Sequence, residues 1–472
     1  MSHVAPICLH PVNPHYYLWQ GKPTLLITSA EHYGAVVNAD FDYVAYLDAL
    51  ASYGLNYTRI YPGYLFEPKD KFIVDNSLAP RPEALMLPWA RSAEPGYILG
   101  GSKFNLDAWD DAFFHRLTDF LACAEARGIV VEICFFNCQY PDTWPLSPLN
   151  RANNIQGVGQ CDHIGAQTLD ADPALVCYEA AYVAAITRAA NPYGNVILEV
   201  CDEVNVLGTP VEKGGPWIAH MVHVIREAER ALPNRHLIAQ QVTGPLGGPC
   251  DFSADPEVDI IVGQYVWETT DQQEGGIKAL DFEYADNKPI ELNETNYYPV
   301  WYQGDRVASS RAEAWEFIVG GGASFNHLNG LFTIHNPAGA GEENAQVCGA
   351  LRNLAAFMNA LDFISMRPDR AMRLVGASPN ALCRGLSEPG KQYALYLHHS
   401  TGERSMGYIV QPGSYTETIV LPLPPGDYRT EWIEPATGIV LRVEAIAHRG
   451  GERVLTTPAH AVDIALRIKR IS

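Results

Sequence analysis

Apolar positions between residues 15 and 366 fall into two alternating patterns: short continuous runs, and longer stretches at helical spacing. The first runs flank Gln20-Gly21, a pair suited to a hairpin turn, and the second arm, Thr24–Thr28, stops at Ser29-Ala30-Glu31-His32-Tyr33-Gly34. Phe41, Val44, Leu47 and Leu50 then share one helix face, with Gly54 as the stop. Further strand-like runs are Leu55–Tyr61, Ile129–Asn137, Val196–Leu198 leading into Glu199–Asn205, His236–Val242, Asp259–Val266, Lys288–Glu294 and Ala323–Leu328. Helical spacing fills the intervals at Leu106–Arg127, Ala174–Ala190 behind Pro173, Val211–Leu232, Gly276–Tyr284, Ala312–Val319 and Cys348–Leu361. Pro62–Lys103 reads as a long irregular stretch, whose Tyr64, Phe66, Trp89 and Tyr97 either line a cleft or pack the loop on itself.

Eight strands alternating with helices is the pattern of a parallel (β/α)8 TIM barrel, an α/β fold, over residues 1–366. Beyond about residue 366 the rhythm shortens. Tyr393–His398, Tyr415–Leu421, Tyr428–Ile433, Ile439–Val443 and Val462–Ile468 are separated by turn signals such as Pro424-Pro425-Gly426-Asp427. Residues 367–472 are therefore expected to form a C-terminal all-β sandwich domain.

Composition narrows the partners. With 33 basic against 54 acidic residues the formal charge is −21, which argues against nucleic acid or an anionic membrane surface and is compatible with a neutral substrate. The start of the chain has neither a basic leader nor a long apolar run. Ten cysteines are scattered, and Cys134-x3-Cys138 lacks the second pair that zinc needs. Reduced, mostly buried thiols in a cytoplasmic protein are the expectation. A monomer and a homo-oligomer are both compatible with the sequence.

Carboxylates mark the ends of two strands. Asp202 and Glu203 follow the fourth run, and Glu291 and Glu294 lie on the seventh. Acids at the C-terminal tips of barrel strands stand where such barrels do chemistry. Strict alternation lets only one of Glu291 and Glu294 face the mouth. Glu294, nearer the tip, is the choice, with Glu291 expected near the helix layer.

With these acids in place the chain resembles glycoside hydrolase clan A, retaining glycosidases with acids on strands four and seven of a (β/α)8 barrel. The resemblance implies that Glu203 is the acid/base and that Glu294, in N-E-T-N-Y, is the nucleophile. It further implies that Arg59 supports the nucleophile and that Tyr265, ending the sixth strand, bonds to it. Members of the clan frequently carry a C-terminal β-sandwich. The chain departs from the pattern at Asp202, where the clan has an Asn that donates to the substrate 2-hydroxyl. An ionised Asp can only accept, so that hydroxyl is expected to become the donor. Glu31 and His32 are expected to bind sugar hydroxyls, and one of Asn326 and His327 to face the site. Trp267 and Trp301 are either stacking platforms or ordinary packing. His220-x2-His223 reads as surface. No cofactor and no metal are expected. The rival readings are a non-catalytic carbohydrate-binding barrel and a metal-dependent barrel enzyme.

Overall fold

The computed structural model describes residues 5–245, 247–269, 272–273, 277–298, 304–401 and 408–471. Eight parallel strands form the central sheet: β1 (Leu26–Ala30), β2 (Tyr57–Ile60), β3 (Val130–Asn137), β4 (Val196–Asp202), β5 (Leu237–Pro245), β6 (Ile260–Thr269), β7 (Ile290–Tyr298) and β8 (Ser324–Asn329). The pairing path runs from β1 through β8, β7, β6, β5, β4 and β3 to β2. The remaining seam, between β1 and β2, is stitched by the Asn56 side chain. Its Nδ2 donates to Leu25 O at 2.8 Å and its Oδ1 accepts from Ile27 N at 3.0 Å. β3 and β4 are buried along their whole length, as expected of strands enclosed on both faces.

Among the described residues seven α-helices follow these strands: α1 (Tyr43–Tyr53), α2 (Asp111–Ala126), α3 (Pro173–Ala190), α4 (Val211–Glu229), α5 (Ile277–Glu283), α6 (Arg306–Val319) and α7 (Glu342–Asn359). Their starts are chemically marked. Asp42, Asp110, Asp172 and Asp305 each accept a first-turn backbone N–H, and Pro173 occupies the first turn of α3. Gly54 closes α1 at φ 73°, a conformation that costs glycine little.

Three sequence expectations are corrected. The hairpin at Gln20-Gly21 exists, but its second arm is Lys22–Thr24 and is not the first barrel strand. It joins Cys8–Leu9 and Tyr17–Trp19 in a small antiparallel sheet. That sheet covers the N-terminal end of the barrel, where Tyr17 OH meets Ser324 Oγ at 2.7 Å and His15 stacks on Tyr284. The stretch after β2 is also not wholly irregular, since Trp89–Pro95 and Ser102–Trp109 form an antiparallel hairpin. For the same reason α2 begins at Asp111 and not at Leu106. Phe104 and Leu106 are buried at a period of two, as strand residues, and Asp110 caps the helix behind them.

The all-β part begins at Arg367. One sheet runs Arg367–Pro368, Ala381–Glu388, Gln392–Thr401, Asp463–Arg470, Gly426–Ile433, Val440–His448, with Ile409–Val410 paired to its third strand. The other sheet contains Arg373–Val375, Thr418–Pro422 and Glu452–Thr456. Alternation along Gln392–Thr401 divides its labour. Tyr393, Leu395 and Leu397 enter the core between the sheets with Ile419, Leu421 and Leu455. The even positions face the barrel: Tyr396 lies against Trp315 of α6 with ring centres 5.6 Å apart, and His398 Nε2 meets Glu316 Oε2 at 2.8 Å. Arg311 of α6 pairs with Asp463 at 2.7 Å. Every residue of α6 from Ala308 to Val319 is buried in consequence. No helix among the described residues is long and apolar enough to cross a membrane.

Replacing Asn56 by Ala should leave Ile27 N–H and Leu25 C=O without their seam partners. The expected cost is about 1–3 kcal/mol, read as a lower urea midpoint at unchanged slope. An unchanged midpoint would show that the seam does not depend on this amide.

Candidate active site

The tip of β4 departs from a regular ladder for an identifiable reason. Backbone pairing with β5 follows Leu237↔Ile197 to Ala239↔Glu199. Beyond it the Gln240 side chain serves both backbone groups of Cys201, donating to its C=O at 2.9 Å and accepting from its N–H at 3.2 Å. The strands can then diverge. Glu203 follows at φ 56°, a left-handed conformation that strains a non-glycine residue by roughly 1–2 kcal/mol. Its N–H is held by Gln241 Oε1 at 2.5 Å. The turn delivers the Glu203 carboxylate to the loop after β3, where Oε2 lies 3.3 Å from Cys138 Sγ and 3.5 Å from Tyr140 OH. Tyr140 is itself walled by Phe72 and by the Lys71 ammonium, 4.1 Å from its ring centre.

A second break in regularity acts on β7. The register with β8 shifts between Leu292 and Thr295, so Glu291 and Glu294 do not fall on opposite faces. Glu294 meets Arg59 Nη1 at 2.9 Å. Glu291 accepts from Tyr57 OH at 2.5 Å and is fully buried inside the barrel, not near the helix layer as strict alternation implied.

Arg59 joins these tips from below. It has no solvent exposure. Glu199 takes its Nη2 at 2.5 Å and its Nε at 2.8 Å, Asp202 lies 3.3 Å from Nη2, and Glu294 takes Nη1. The Tyr33 and Tyr61 rings sit 5.1 and 5.2 Å from the guanidinium carbon. Asp202 Oδ2 also accepts from Tyr61 OH at 2.7 Å and from Asn137 Nδ2 at 3.0 Å. Two donors and the Arg59 charge on one oxygen favour a carboxylate at this position, because an amide oxygen carries no charge to balance Arg59. Asp202 thus faces into the barrel network, and its Oδ1 is buried without a hydrogen-bond partner among the described residues.

Charge is crowded here. Burial holds Glu294 well above the usual carboxylate range, the neighbouring Asp202 and Glu203 push it further up, and Arg59 opposes them. Glu203 is thus among the charges that bear on Glu294. Tyr140 feels both, and burial with these charges drives its phenol strongly upward.

The other sequence candidates have varied positions. Glu31 is fully buried, accepting from Ala35 N at 2.9 Å and from Ser77 Oγ, and burial pushes its carboxyl up to about 7. His32 Nε2 meets Glu67 Oε2 at 3.3 Å, and Asn76 Nδ2 donates to the same oxygen. Both residues therefore tie the tip of β1 to the loop after β2. Asn326 points inward, donating to Tyr33 OH at 3.1 Å and Asn293 O at 2.9 Å and accepting from Ala30 N. His327 points to the other side and meets Ser29 Oγ at 2.8 Å. The side chains of Tyr265 and Trp267, and the whole of Trp301, lie outside the described residues. Tyr64, Phe66, Trp89 and Tyr97 are buried packing, with Trp89 stacked on Tyr182 of α3. His220 and His223 lie on α4, half-buried and exposed, and no group of three or more potential metal ligands occurs among the described residues.

Sequence reasoning did not single out Tyr33, Tyr61, Asn137, Tyr140 or Gln241, and met Cys138 only as half of an incomplete zinc spacing. Each follows an apolar run or ends one, which is the available signal, but every strand end offers several such residues.

No family model matches the sequence, and no curated protein matches it. Solved structures do share its fold. A Bacteroides vulgatus protein provisionally assigned as a glycoside hydrolase is similar over 100% of this chain and 83% of its own, with a TM-score of 0.66 at 14% identity. A family 5 glycoside hydrolase from the same organism matches over 100% and 95%, at 0.62 and 10% identity. The endo-1,4-β-mannanase of Rhizomucor miehei matches over 76% and 100%, at 0.50 and 13% identity. At these identities the likeness is one of fold.

The Glu31 carboxyl sets a pH expectation. Its folded value, about 7, lies above the ordinary 4.5, so the folded state binds the extra proton between them. The stability this adds is full below pH 4.5 and is lost as the pH rises through about 7. Glu31→Gln should flatten that decline when unfolding midpoints are compared across this window, and parallel curves would contradict the assignment.

Proposed function

We propose that the chain is a retaining glycoside hydrolase acting on β-linked oligosaccharides or glycosides, with Glu294 as nucleophile and Glu203 as acid/base. The observation that carries this reading is the Glu294 carboxylate of β7 held on a buried guanidinium, with a second carboxylate, Glu203 after β4, among the charges that act on it. Arg59 favours the ionised form of Glu294 that attack on an anomeric carbon needs, against the burial that disfavours it. Glu203 has a thiol and a phenol at its Oε2, and as a neutral acid it protonates the leaving oxygen. In the second half of the reaction the same group, now ionised, takes a proton from water as it releases the sugar from Glu294. The fold shared with solved glycoside hydrolases supports the same assignment.

Further expectations belong to this reading. Glu31, His32 and Asn326 act behind the sugar site, by holding Tyr33 and the loop after β2 in place. Asp202 acts through Arg59, Tyr61 and Asn137. Tyr265, Trp267 and Trp301 are assigned to sugar binding on the resemblance alone. The ten free thiols fit a reducing compartment such as the cytoplasm.

Glu294→Ala should lose hydrolysis of aryl β-glycosides and regain it with azide, which replaces the missing nucleophile. Glu203→Ala should lose about 10²–10⁴-fold on substrates with poor leaving groups and much less on activated ones. Turnover unchanged in both variants sinks the assignment, and saccharide binding without turnover in the unmodified protein would identify a binding barrel instead.

A further inference from the structure

Beneath the proposed nucleophile the barrel holds three carboxyl groups that the hydrolysis does not use: Glu132 of β3, Glu199 of β4 and Glu291 of β7. None has any solvent exposure. Arg59 is the only cation among the described residues in contact with any of them. Burial drives the Glu132 carboxyl well above the usual range, and the Glu291 charge pushes it further up. Two carboxyl groups can hydrogen-bond to each other only if one carries the proton. Their Oε1 atoms have donors, Asn293 Nδ2 at 3.4 Å for Glu132 and Tyr57 OH for Glu291, while Oε2 of each is buried without a hydrogen-bond partner among the described residues, and a proton held between these two oxygens would satisfy both.

We propose that Glu199, backed by a Glu132–Glu291 pair sharing one proton, positions Arg59 and divides its charge between the barrel interior and Glu294. This rests on the glycosidase reading for Glu294. Arg59 makes its shortest contact with Glu199, at 2.5 Å through Nη2, and a second at 2.8 Å through Nε. The contact to Glu294, at 2.9 Å, uses the remaining arm. Glu199 therefore fixes the plane of the guanidinium and competes for its charge. The shared proton keeps one further negative charge out of the interior. Around Glu294 stand Tyr33 from the loop after β1, Arg59 and Tyr61 around β2, Tyr140 after β3, and Glu199, Asp202 and Glu203 of the β4 tip. Among these described groups only Arg59 favours the ionised carboxylate. Neutralising Glu199 should therefore release Arg59 toward Glu294.

The full-length protein would be assayed for the pH dependence of kcat/KM on an aryl β-glycoside. Glu199→Gln should move the acidic limb to lower pH by on the order of one unit, the size of one close charge effect. A purely structural role would lower kcat or yield and leave the limb in place, and that result overturns the positioning role. The shared proton has its own readout. Infrared difference spectra at pH 7 between the unmodified protein and Glu132→Gln should show one protonated-carboxyl carbonyl band lost, and no lost band overturns the pair. Glu291→Gln gives the same comparison if the first variant does not fold. If the unmodified protein hydrolyses no glycoside, the glycosidase reading fails, and the infrared comparison still decides the pair.

Discussion

A fully buried guanidinium governs this barrel. Removing one member of a buried ion pair leaves a charge without solvent or partner, at a cost of about 3–5 kcal/mol. Arg59 avoids that cost only because β4 and β7 present carboxylates to it from different directions and because Tyr33 and Tyr61 cover it. The requirement ties β2, β4 and β7 together across the interior. The carboxylates at the mouth are thus positioned from below, by the charge they answer.

Meeting that requirement breaks the regular sheet in two places. On β7 a register shift turns both Glu291 and Glu294 inward. On β4 a glutamine amide replaces the backbone ladder at Cys201, and the chain turns through a left-handed Glu203. The β4 irregularity sits at the C-terminal end of its strand, whereas the β7 shift lies within the strand and pairing resumes at Thr295. The surroundings are stiffened by polar anchors. Glu31 and the His32–Glu67 pair fasten the loop after β2 to the end of β1, and α6 is clamped between barrel and sandwich through Arg311, Trp315 and Glu316. The loop aromatics that could have lined a cleft are used as packing beneath it, Trp89 on Tyr182 and Tyr64 against Phe136.

The order of eight strands and the change to an all-β pattern near residue 366 were legible in the sequence, because periodicity is local and burial on two faces leaves continuous apolar runs. The helix start at Pro173 and the stop at Gly54 were legible for the same reason: their chemistry acts within one turn. The hairpin at Trp89–Trp109 was not, since its alternation is brief and merges with the start of α2. The carboxylates at the tips of the fourth and seventh strands were legible from strand order, but the inward placement of Glu291 was not, because alternation holds only while the ladder is regular.

The sequence by itself determined which elements form and which strand tips carry carboxylates. Tertiary structure decided what those carboxylates meet. Tyr61, Asn137, Cys138 and Tyr140 are ordinary residues in their own segments, and they matter only because separate strands bring them to Asp202 and Glu203. Asp202 shows the division most clearly. From the chain alone it is one acid beside another, expected to face a substrate hydroxyl. In the folded protein it faces Arg59 and two donors inside the barrel, because the charge of a buried guanidinium must be balanced by groups far away in sequence.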